Sequence, residues 1–413
     1  MFITFPKIIA AAAVLFACNV LGGAPQVALS TAVDASHLQG KVLFGYQGFF
    51  RRPGQGNDHW MIKFGEIPGP STPGDVQFDM FPAVEQYPQE CLFTTNFLLP
   101  DRSKAQLFES NCTGVVDTHF RWMQENSIDG ILVQRFYGQF EDASFLQLLQ
   151  QIRTAAEKYG RSFAVEYDLS PIASSDFSNV VPSLLNDYTH NIAPLITSPA
   201  YLHQDGRPVL ELWGFGIDKN KLSAPDCAAI FHALRSANPN PYVVLGVQWD
   251  WAFDRTQNPD YYNVYLQADV IQPWAVGPYN DPTSYEGFYQ RTSIPDKALT
   301  DRLGIKYAPS ITPGGSARNR EGKGKPLGNR YNGSYYEAQL KHMLDLKPFF
   351  VFGAMFDEFP ESSQVIATLT QSEVPPAANP GFLGIDDGMD HNYYLQLAGR
   401  YAVRFHELWQ VSV

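Results

Sequence analysis

The sequence is poor in the residues from which metal, redox and nucleic-acid sites are built. Only 4 of its 413 residues are cysteine, and no C-x-x-C or H-E-x-x-H spacing occurs, so a zinc site has little support. Lys and Arg together number 30 against 42 Asp and Glu, and the resulting net charge of −12 argues against nucleic acid as a partner. The G-x-S-x-G turn of a serine hydrolase is also absent.

Long apolar runs are missing as well, apart from one at the amino terminus. Ile8–Val20 follows Lys7 and is too short to cross a bilayer comfortably, and small residues that suit a signal peptidase come after it. These features predict a secretory signal at residues 1–24 and a leader at 25–40, and the remaining residues 41–413 are expected to form one domain. We therefore expect an extracellular protein without a membrane partner, and we expect it to be a monomer.

A location outside the cell suggests roles for three of the cysteines and for two asparagines. In an oxidising compartment Cys91 and Cys112, which flank a short loop, are expected to form a disulfide. Cys227 lies on the apolar face of a predicted helix, where a buried free thiol is expected. Asn111 and Asn332 stand in N-x-S/T sequences and are candidate glycosylation sites.

Apolar and aromatic sequence is abundant and comes in short runs. Hydrophobic residues make up 45% of the chain and charged residues 17%, which is the composition of a globular protein with a large core. Predicted strands alternate with helical patterns, at 41–47, 129–136, 162–168, 208–213, 242–249, 269–274, 305–311 and 350–356. This alternation predicts a (β/α)₈ barrel. A doubly wound open sheet is the alternative, although no glycine-rich phosphate turn follows the first strand.

A long connection rich in Gly and Pro separates the first predicted strand from a helix that begins near Thr113. Long irregular connections inside compact domains are usually functional. We predict that this one is irregular, that it covers the substrate, and that the Cys91–Cys112 disulfide pins it.

In a barrel, the residues that close each strand face a shared mouth at the carboxyl edge, where this fold keeps its chemistry. Polar side chains and tryptophans recur at nearly all of these positions, and a sugar site needs such hydrogen-bonding groups together with flat aromatic faces. The candidate substrate-binding residues are Tyr46, Gln47, His59, Trp60, Gln134, Arg135, Glu166, Asp168, Trp249, Trp274, Tyr279 and Asp357. Trp213 closes the fourth strand and is equally well explained as a core residue.

The last predicted strand leads into an acidic stretch that contains the candidate catalytic residues. The apolar run ends at Phe356, and Glu358 and Glu361 follow, three positions apart across Pro360. Because proline restricts φ, both carboxylates can reach one small substrate from a single loop, as cleavage of a glycosidic bond requires. The simpler interpretation is an acidic, solvated loop after a core strand.

The stretch Phe356–Gln364 resembles the W-N-E-W-H-E-G-T-Q motif of glycoside hydrolase family 99, the endo-α-mannosidases, and of the broader family 71/99-like group of secreted proteins. Shorter likenesses are found at 46–48, 57–60, 129–136, 167–170 and 272–277. The resemblance implies a (β/α)₈ barrel and retaining cleavage of α-linked glycans without a metal or other cofactor. By position, it implies that Glu358 deprotonates the sugar 2-hydroxyl, which attacks its own anomeric carbon, while Glu361 protonates the leaving oxygen.

Six of the nine positions of the motif differ from the family, Phe356 and Ser363 among them. Asp357, Phe359, Pro360 and Ser362 stand where the family has Asn, Trp, His and Gly. An acid must keep its proton near the working pH, so Glu361 would need a pKa raised by burial or by its acidic neighbours. We expect Arg135 or Arg318 to keep one of the carboxylates ionised.

The function predicted from these observations is a secreted glycoside hydrolase that cleaves an α-linked glycan or polysaccharide. The altered motif leaves one alternative, a carbohydrate-binding barrel that has lost catalysis. A third interpretation is a metal site formed by Glu166, Asp168 and Glu358 that hydrolyses another kind of bond, since hard cations prefer clustered carboxylates.

Overall fold

The computed structural model describes residues 32–55, 59–61, 65–70, 76–217, 222–321, 326–377 and 381–411. The predicted signal at 1–24 and residues 25–31 of the predicted leader lie outside this part of the chain, as do Asn57 and Asp58 of the motif likeness. Among the described residues, none of the helices combines the length and apolarity that a membrane span needs.

Parallel strands form the barrel that the sequence predicts. They are β1 (Val42–Tyr46), β2 (Gly130–Phe136), β3 (Ser162–Asp168), β4 (Arg207–Trp213), β5 (Tyr242–Gln248), β6 (Val270–Trp274), β7 (Lys306–Tyr307 with Ser310–Ile311) and β8 (Val351–Gly353). Each strand pairs in parallel with its neighbours in sequence, and β8 pairs with β1. Most strand positions are buried because helices cover the outer face of the sheet, so the strands read as apolar runs.

The ring closes through β7, which is divided in two around Pro309. Lys306–Tyr307 pairs with β6, and Ser310–Ile311 pairs with β8. Proline has no N–H to donate to a strand ladder, which explains the interruption at this point. Two short pairings of two residues each therefore complete the barrel.

Helices follow the strands. They are α1 (Thr113–Glu125), α2 (Ala143–Tyr159), α3 (Phe177–Asp187), α4 (Ala193–Ile196), α5 (Ala224–Arg235), α6 (Asp254–Gln257), α7 (Pro259–Tyr265), α8 (Pro282–Phe288), α9 (Ile294–Leu303), α10 (Arg318–Glu321), α11 (Ser334–Leu346) and α12 (Tyr393–Trp409). Local signals fix α2 at both ends. Asp142 Oδ1 accepts hydrogen bonds from the backbone N–H groups of Ser144 and Phe145, and Gly160 has φ 59° just past the last turn.

The long connection after β1 is only partly irregular, which corrects the prediction. Leu92–Leu98 and Lys104–Phe108 pair as an antiparallel hairpin, and burial alternates along most of the first strand because one face packs inward. The predicted disulfide between Cys91 and Cys112 is confirmed, one cysteine lying just before the hairpin and the other shortly after it. Cys227 is a buried free thiol, as predicted.

Candidate active site

A cavity of about 350 Å³ lies at the carboxyl ends of the strands, within the size range of small-molecule sites. Its lining residues are Gln47, Phe49, His59, Gln77, Gln134, Phe136, Glu166, Asp168, Ser170, Glu211, Trp213, Gln272, Trp274, Arg320, Phe352, Met355, Glu358, Pro360 and Glu361. Both predicted catalytic residues belong to this lining. Of the predicted substrate-binding residues, it includes Gln47, His59, Gln134, Glu166, Asp168 and Trp274.

The two-residue period of the strands decides which side chains reach the cavity. On β2, Gln134 and Phe136 line it, whereas Arg135 between them points outward. Arg135 is fully buried behind the barrel wall and binds Asp187 of α3 at 2.6 Å, so it is not available to a substrate or to the catalytic carboxylates. This placement corrects both roles that the sequence suggested for it.

A tight turn after β8 brings Glu358 and Glu361 to the same cavity. The backbone N–H of Glu361 donates to Glu358 Oε1 at 3.3 Å, and the N–H of Ser363 donates to the carbonyl oxygen of Glu358 at 3.0 Å. Ser362 has φ 51°, the left-handed region that favours glycine. The turn therefore depends on a backbone conformation that is costly for a serine.

The two carboxyl groups have different surroundings. Glu358 is 5% exposed, and burial raises its pKa well above the usual range, with further increases from Glu361 and Asp357. The charge of Arg320 acts in the opposite direction on the pKa of Glu358. The Glu361 side chain is 30% exposed, and its Oε1 lies 3.4 Å from Arg320 Nη2.

Arg320 of α10, rather than Arg135 or Arg318, is thus the cation beside the predicted catalytic pair. The Arg318 side chain instead lies 3.9 Å from the Asp79 carboxylate. Glu358 is the more buried of the two carboxyl groups, whereas burial of Glu361 was considered at the level of the sequence. The sequence had no signal for Arg320, because α10 is a short helix within the long connection between β7 and α11.

The opposite side of the cavity forms a second polar surface, which we call the acceptor wall: Gln134, Glu166, Asp168, Glu211 and Gln272. Gln134 Nε2 donates to Asp168 Oδ2 at 2.7 Å, and Gln272 Nε2 donates to Glu211 Oε1 at 2.5 Å. Glu166 and Glu211 are paired in register on β3 and β4, so their side chains are neighbours.

Burial raises the pKa of all three acids in the acceptor wall. For Glu166 the pKa lies well above the usual range, and the nearby Glu211 and Asp168 add to the effect. The pKa of Glu211 is also well above the usual range, although the hydrogen bond from Gln272 lowers it in part. For Asp168, hydrogen bonds from Ser170 and Gln134 offset part of the increase in pKa.

Aromatic rings and a neutral imidazole complete the lining. The rings of Trp213 and Trp274 lie 5.6 Å apart and are both partly exposed, so they present flat apolar faces to the cavity. His59 packs on Phe49 with ring centres 3.8 Å apart. Burial, with a smaller contribution from the charge of Arg51, lowers the pKa of His59 to about 4, so the ring is neutral at pH 7.

Two predicted substrate-binding residues stabilise the loops around the cavity without lining it. Trp60 is 1% exposed, packs against Phe359 of the acidic motif and donates from Nε1 to the carbonyl oxygen of Phe108. Asp357 is fully buried and accepts hydrogen bonds from the backbone N–H groups of Gln47 and Gly48, both at 2.8 Å. Burial raises the pKa of Asp357 to about 6.

Three more predicted substrate-binding residues lie outside the cavity. The Tyr46 hydroxyl is hydrogen-bonded to His119 Nδ1 on α1 at 3.0 Å. Tyr279 is buried, and its hydroxyl donates to Gln339 Oε1 on α11. Trp249 packs against Phe288 of α8. We therefore assign these three residues to packing between strands and helices.

The sequence missed several residues of the lining. Glu211 and Gln272 stand two positions before Trp213 and Trp274, and the strand period alone would have placed them on the inner face. Gln77 and Arg320 come from loops, for which the sequence carries no comparable signal. Within the described ranges, no three His, Cys, Asp or Glu side chains are arranged so that they could hold a metal ion.

Comparisons with known proteins show the fold. No protein-family model and no curated protein matches the chain. The family 99 endo-α-mannosidase of Bacteroides thetaiotaomicron superposes with a TM-score of 0.64 at 14% sequence identity, over 90% of this chain and 99% of that one. A structure described as a glycoside hydrolase-like protein gives a TM-score of 0.55 at 12% identity, over 90% of this chain and 96% of that one. The likeness is to the (β/α)₈ barrel and spans nearly the whole of both proteins.

Proposed function

We propose that this protein is a glycoside hydrolase that cleaves an α-linked glycan with Glu358 and Glu361. The observation that carries the proposal is that one tight turn delivers both carboxyl groups to a cavity that also contains two tryptophan faces and a wall of hydrogen-bond acceptors. A pair of carboxyl groups beside a bound sugar is what acid–base cleavage of a glycosidic bond requires. The amino-terminal sequence further supports the proposal that the enzyme acts outside the cell.

The surroundings of the two groups support different roles. A carboxylate whose pKa is raised is a stronger base, and burial raises the pKa of Glu358. Glu358 therefore suits removal of a proton from a sugar hydroxyl. Glu361 is more exposed, so it can protonate the leaving oxygen and then exchange its proton with water. The charge of Glu361 raises the pKa of Glu358 and the charge of Arg320 lowers it, and the assigned roles require Glu358 to be ionised while Glu361 holds the proton.

The shape of the surface favours a substrate longer than one sugar. A second cavity of about 580 Å³ shares Phe49, His59 and Phe136 with the first. The two spaces thus adjoin across these three side chains. We propose that a glycan chain extends from the catalytic cavity into the second one and is cleaved within its length.

The test is to replace each carboxyl group by an amide of the same shape. Glu358→Gln and Glu361→Gln should each lower kcat/KM on an unactivated α-linked oligosaccharide by about 10³-fold or more, because each removes a proton transfer. Their folded state should be unchanged. Glu407→Gln on the exposed side of α12 is the matched control and should leave the rate unchanged.

A substrate with an activated aryl leaving group separates the two roles. Such a leaving group needs little protonation, so Glu361→Gln should recover most of its first-step rate on it, whereas Glu358→Gln should stay slow. Normal turnover by both variants, or recovery by Glu358→Gln instead, would contradict the assignment. NMR of the first-formed anomer tests whether configuration is retained.

One observation favours the alternative of a carbohydrate-binding protein without catalysis. Phe359 replaces a tryptophan of the resembled motif and is fully buried among Phe50, Trp60 and Phe108, so it brings no polar group to the site. This alternative predicts saturable glycan binding with no release of reducing ends, and unchanged affinity when both Glu358 and Glu361 are replaced by glutamine.

A further inference from the structure

The cavity lining contains far more acidic than basic side chains. Its described lining contains the five acids Glu166, Asp168, Glu211, Glu358 and Glu361, against one cationic side chain, Arg320. Arg320 lies beside Glu361, so in the described lining the acceptor wall has no cation of its own. His59 is neutral at pH 7 and does not balance the charge. A site for neutral sugars alone needs no such excess, because hydroxyl groups both donate and accept hydrogen bonds.

Among the described residues, the buried unpaired polar atoms of the lining are all oxygens. In the described part of the chain, the buried side-chain atoms of this lining without a hydrogen-bond partner are Gln47 Oε1, Gln134 Oε1, Glu211 Oε2 and Gln272 Oε1. Three of these residues are more than nine-tenths buried: Gln47 at 7%, Glu211 at 1% and Gln272 at 3% exposure. Buried polar atoms are normally paired, so these oxygens point to a ligand that donates hydrogen bonds.

The hydrogen bonds within the wall explain why oxygens are left free. The amide N–H groups of Gln134 and Gln272 already donate to Asp168 and Glu211. In the described part of the chain, Gln134 Oε1 and Gln272 Oε1 are therefore left without a hydrogen-bond partner. Gly246 on β5 allows the Trp213 ring to pack close to the strand beside Glu211, since a Cβ there would lie 2.4 Å from that ring and 3.4 Å from Glu211 Oε1.

We propose that the substrate carries a free amino group, and that this group binds as an ammonium against the acceptor wall beside Glu211 and Glu166. This inference rests on the proposed function, because it names the class of glycan that the same cavity takes: one with amino-sugar residues that are not acetylated. An ammonium group donates up to three hydrogen bonds and accepts none, which matches the free oxygens. The faces of Trp213 and Trp274 add a cation–π attraction at the same side of the cavity.

The test compares two α-1,4-linked oligosaccharides of alternating galactose, which keeps its 2-hydroxyl, and galactosamine, and the two differ only in N-acetylation of the galactosamine. Binding is measured by calorimetry at pH 7 with the full-length Glu361→Gln protein, so that turnover does not interfere. The free-amine form should bind about tenfold more tightly or better, because charge-assisted hydrogen bonds replace neutral ones. Adding Glu211→Gln, or separately Glu166→Gln, should reduce this preference to about twofold or less, while Glu407→Gln should leave it unchanged.

Three results would overturn the inference. Equal affinity for the amine and acetylated forms would remove the amino group from recognition. A preference that survives both Glu211→Gln and Glu166→Gln would place the amine elsewhere. A plain diamine such as putrescine that binds as tightly as the amino-oligosaccharide would show that the sugar contributes nothing.

The outcome is separable from that of the proposed function. Amine-selective binding by a wild-type protein that hydrolyses no α-glycan would contradict the proposed function and leave this inference in place. Hydrolysis of the acetylated oligosaccharide at a rate equal to or higher than that of the free-amine form would contradict this inference and leave the proposed function in place.

Discussion

At the scale of single residues, Arg320 is the cation beside the proposed catalytic pair. It lies 3.4 Å from Glu361, and its charge lowers the pKa of the buried Glu358. Arg320→Gln removes that effect, so the pKa of Glu358 should rise further. If Glu358 acts as a base, it must be ionised, and the acidic limb of the kcat/KM profile should move to higher pH.

The measurement is kcat/KM against pH for the wild type and Arg320→Gln. Arg302→Gln on the exposed side of α9 is the matched control, because it removes a charge far from the cavity lining. An acidic limb that stays in place, or moves to lower pH, would rule out Arg320 as a regulator of Glu358.

Single residues also show what the sequence can and cannot predict. Gln134 and Arg135 are both polar and adjacent, yet Gln134 lines the cavity and Arg135 binds Asp187 behind the barrel. Counting by two along the strand would have separated them. No local rule places Arg320 or Gln77, because loops reach the cavity only through the tertiary packing that supports them.

At the scale of elements, Asp357 joins the end of β1 to the turn after β8. Asp357→Ala would leave the buried N–H groups of Gln47 and Gly48 without an acceptor. At about 1–3 kcal/mol for each of the two unpaired groups, the free energy of unfolding should fall by about 2–6 kcal/mol. Urea unfolding gives this value, with Asp260→Ala at an exposed position as the control. If the free energy of unfolding of Asp357→Ala lies within about 0.5 kcal/mol of that of the control, water or a shifted loop replaces the contact.

Elements were predicted well where a strand or helix is long and periodic, and less well where packing between loops decides. The alternation along β1 to β6 located those strands within a residue or two. The hairpin after β1 was missed, because its exposed face makes it resemble an ordinary polar loop. Ser362 gives a similar case, because nothing local in a serine predicts φ 51°, a conformation that glycine adopts more readily.

At the scale of the whole molecule, the fold was predictable because eight apolar runs alternate with helices over the length of one domain. What the sequence left undetermined is how the ring closes. β7 forms two residue pairs with each neighbouring strand, whereas β2 and β3 form seven residue pairs with each other. Stability is uneven across a structure, and segments with few ladder hydrogen bonds open first. We therefore expect the barrel to open at β7.

The closure of the barrel at residues 305–312 and 350–354, which we call the seam, is stabilised by a buried glutamine outside the sheet. Gln339 of α11 is fully buried, accepts a hydrogen bond from the N–H of Thr312 at 3.0 Å, and donates to the carbonyl oxygen of Thr312 at 2.8 Å. Thr312 follows β7 directly. Tyr279 also donates to Gln339, which explains why its hydroxyl lies here and not in the cavity.

Gln339→Met keeps the length of the side chain but removes every one of these hydrogen bonds. Two buried backbone groups of Thr312 then lose their partner, which should cost about 2–6 kcal/mol of unfolding free energy. Hydrogen exchange followed by mass spectrometry should accelerate at residues 305–312 and 350–354 more than at β3 and β4, since the first ranges form the seam. Lys341→Met on the exposed side of α11 should change neither quantity. Because β8 leads directly to Glu358, activity should fall together with protection from hydrogen exchange at the seam. If exchange in Gln339→Met accelerates equally across the barrel, closure does not depend on this glutamine.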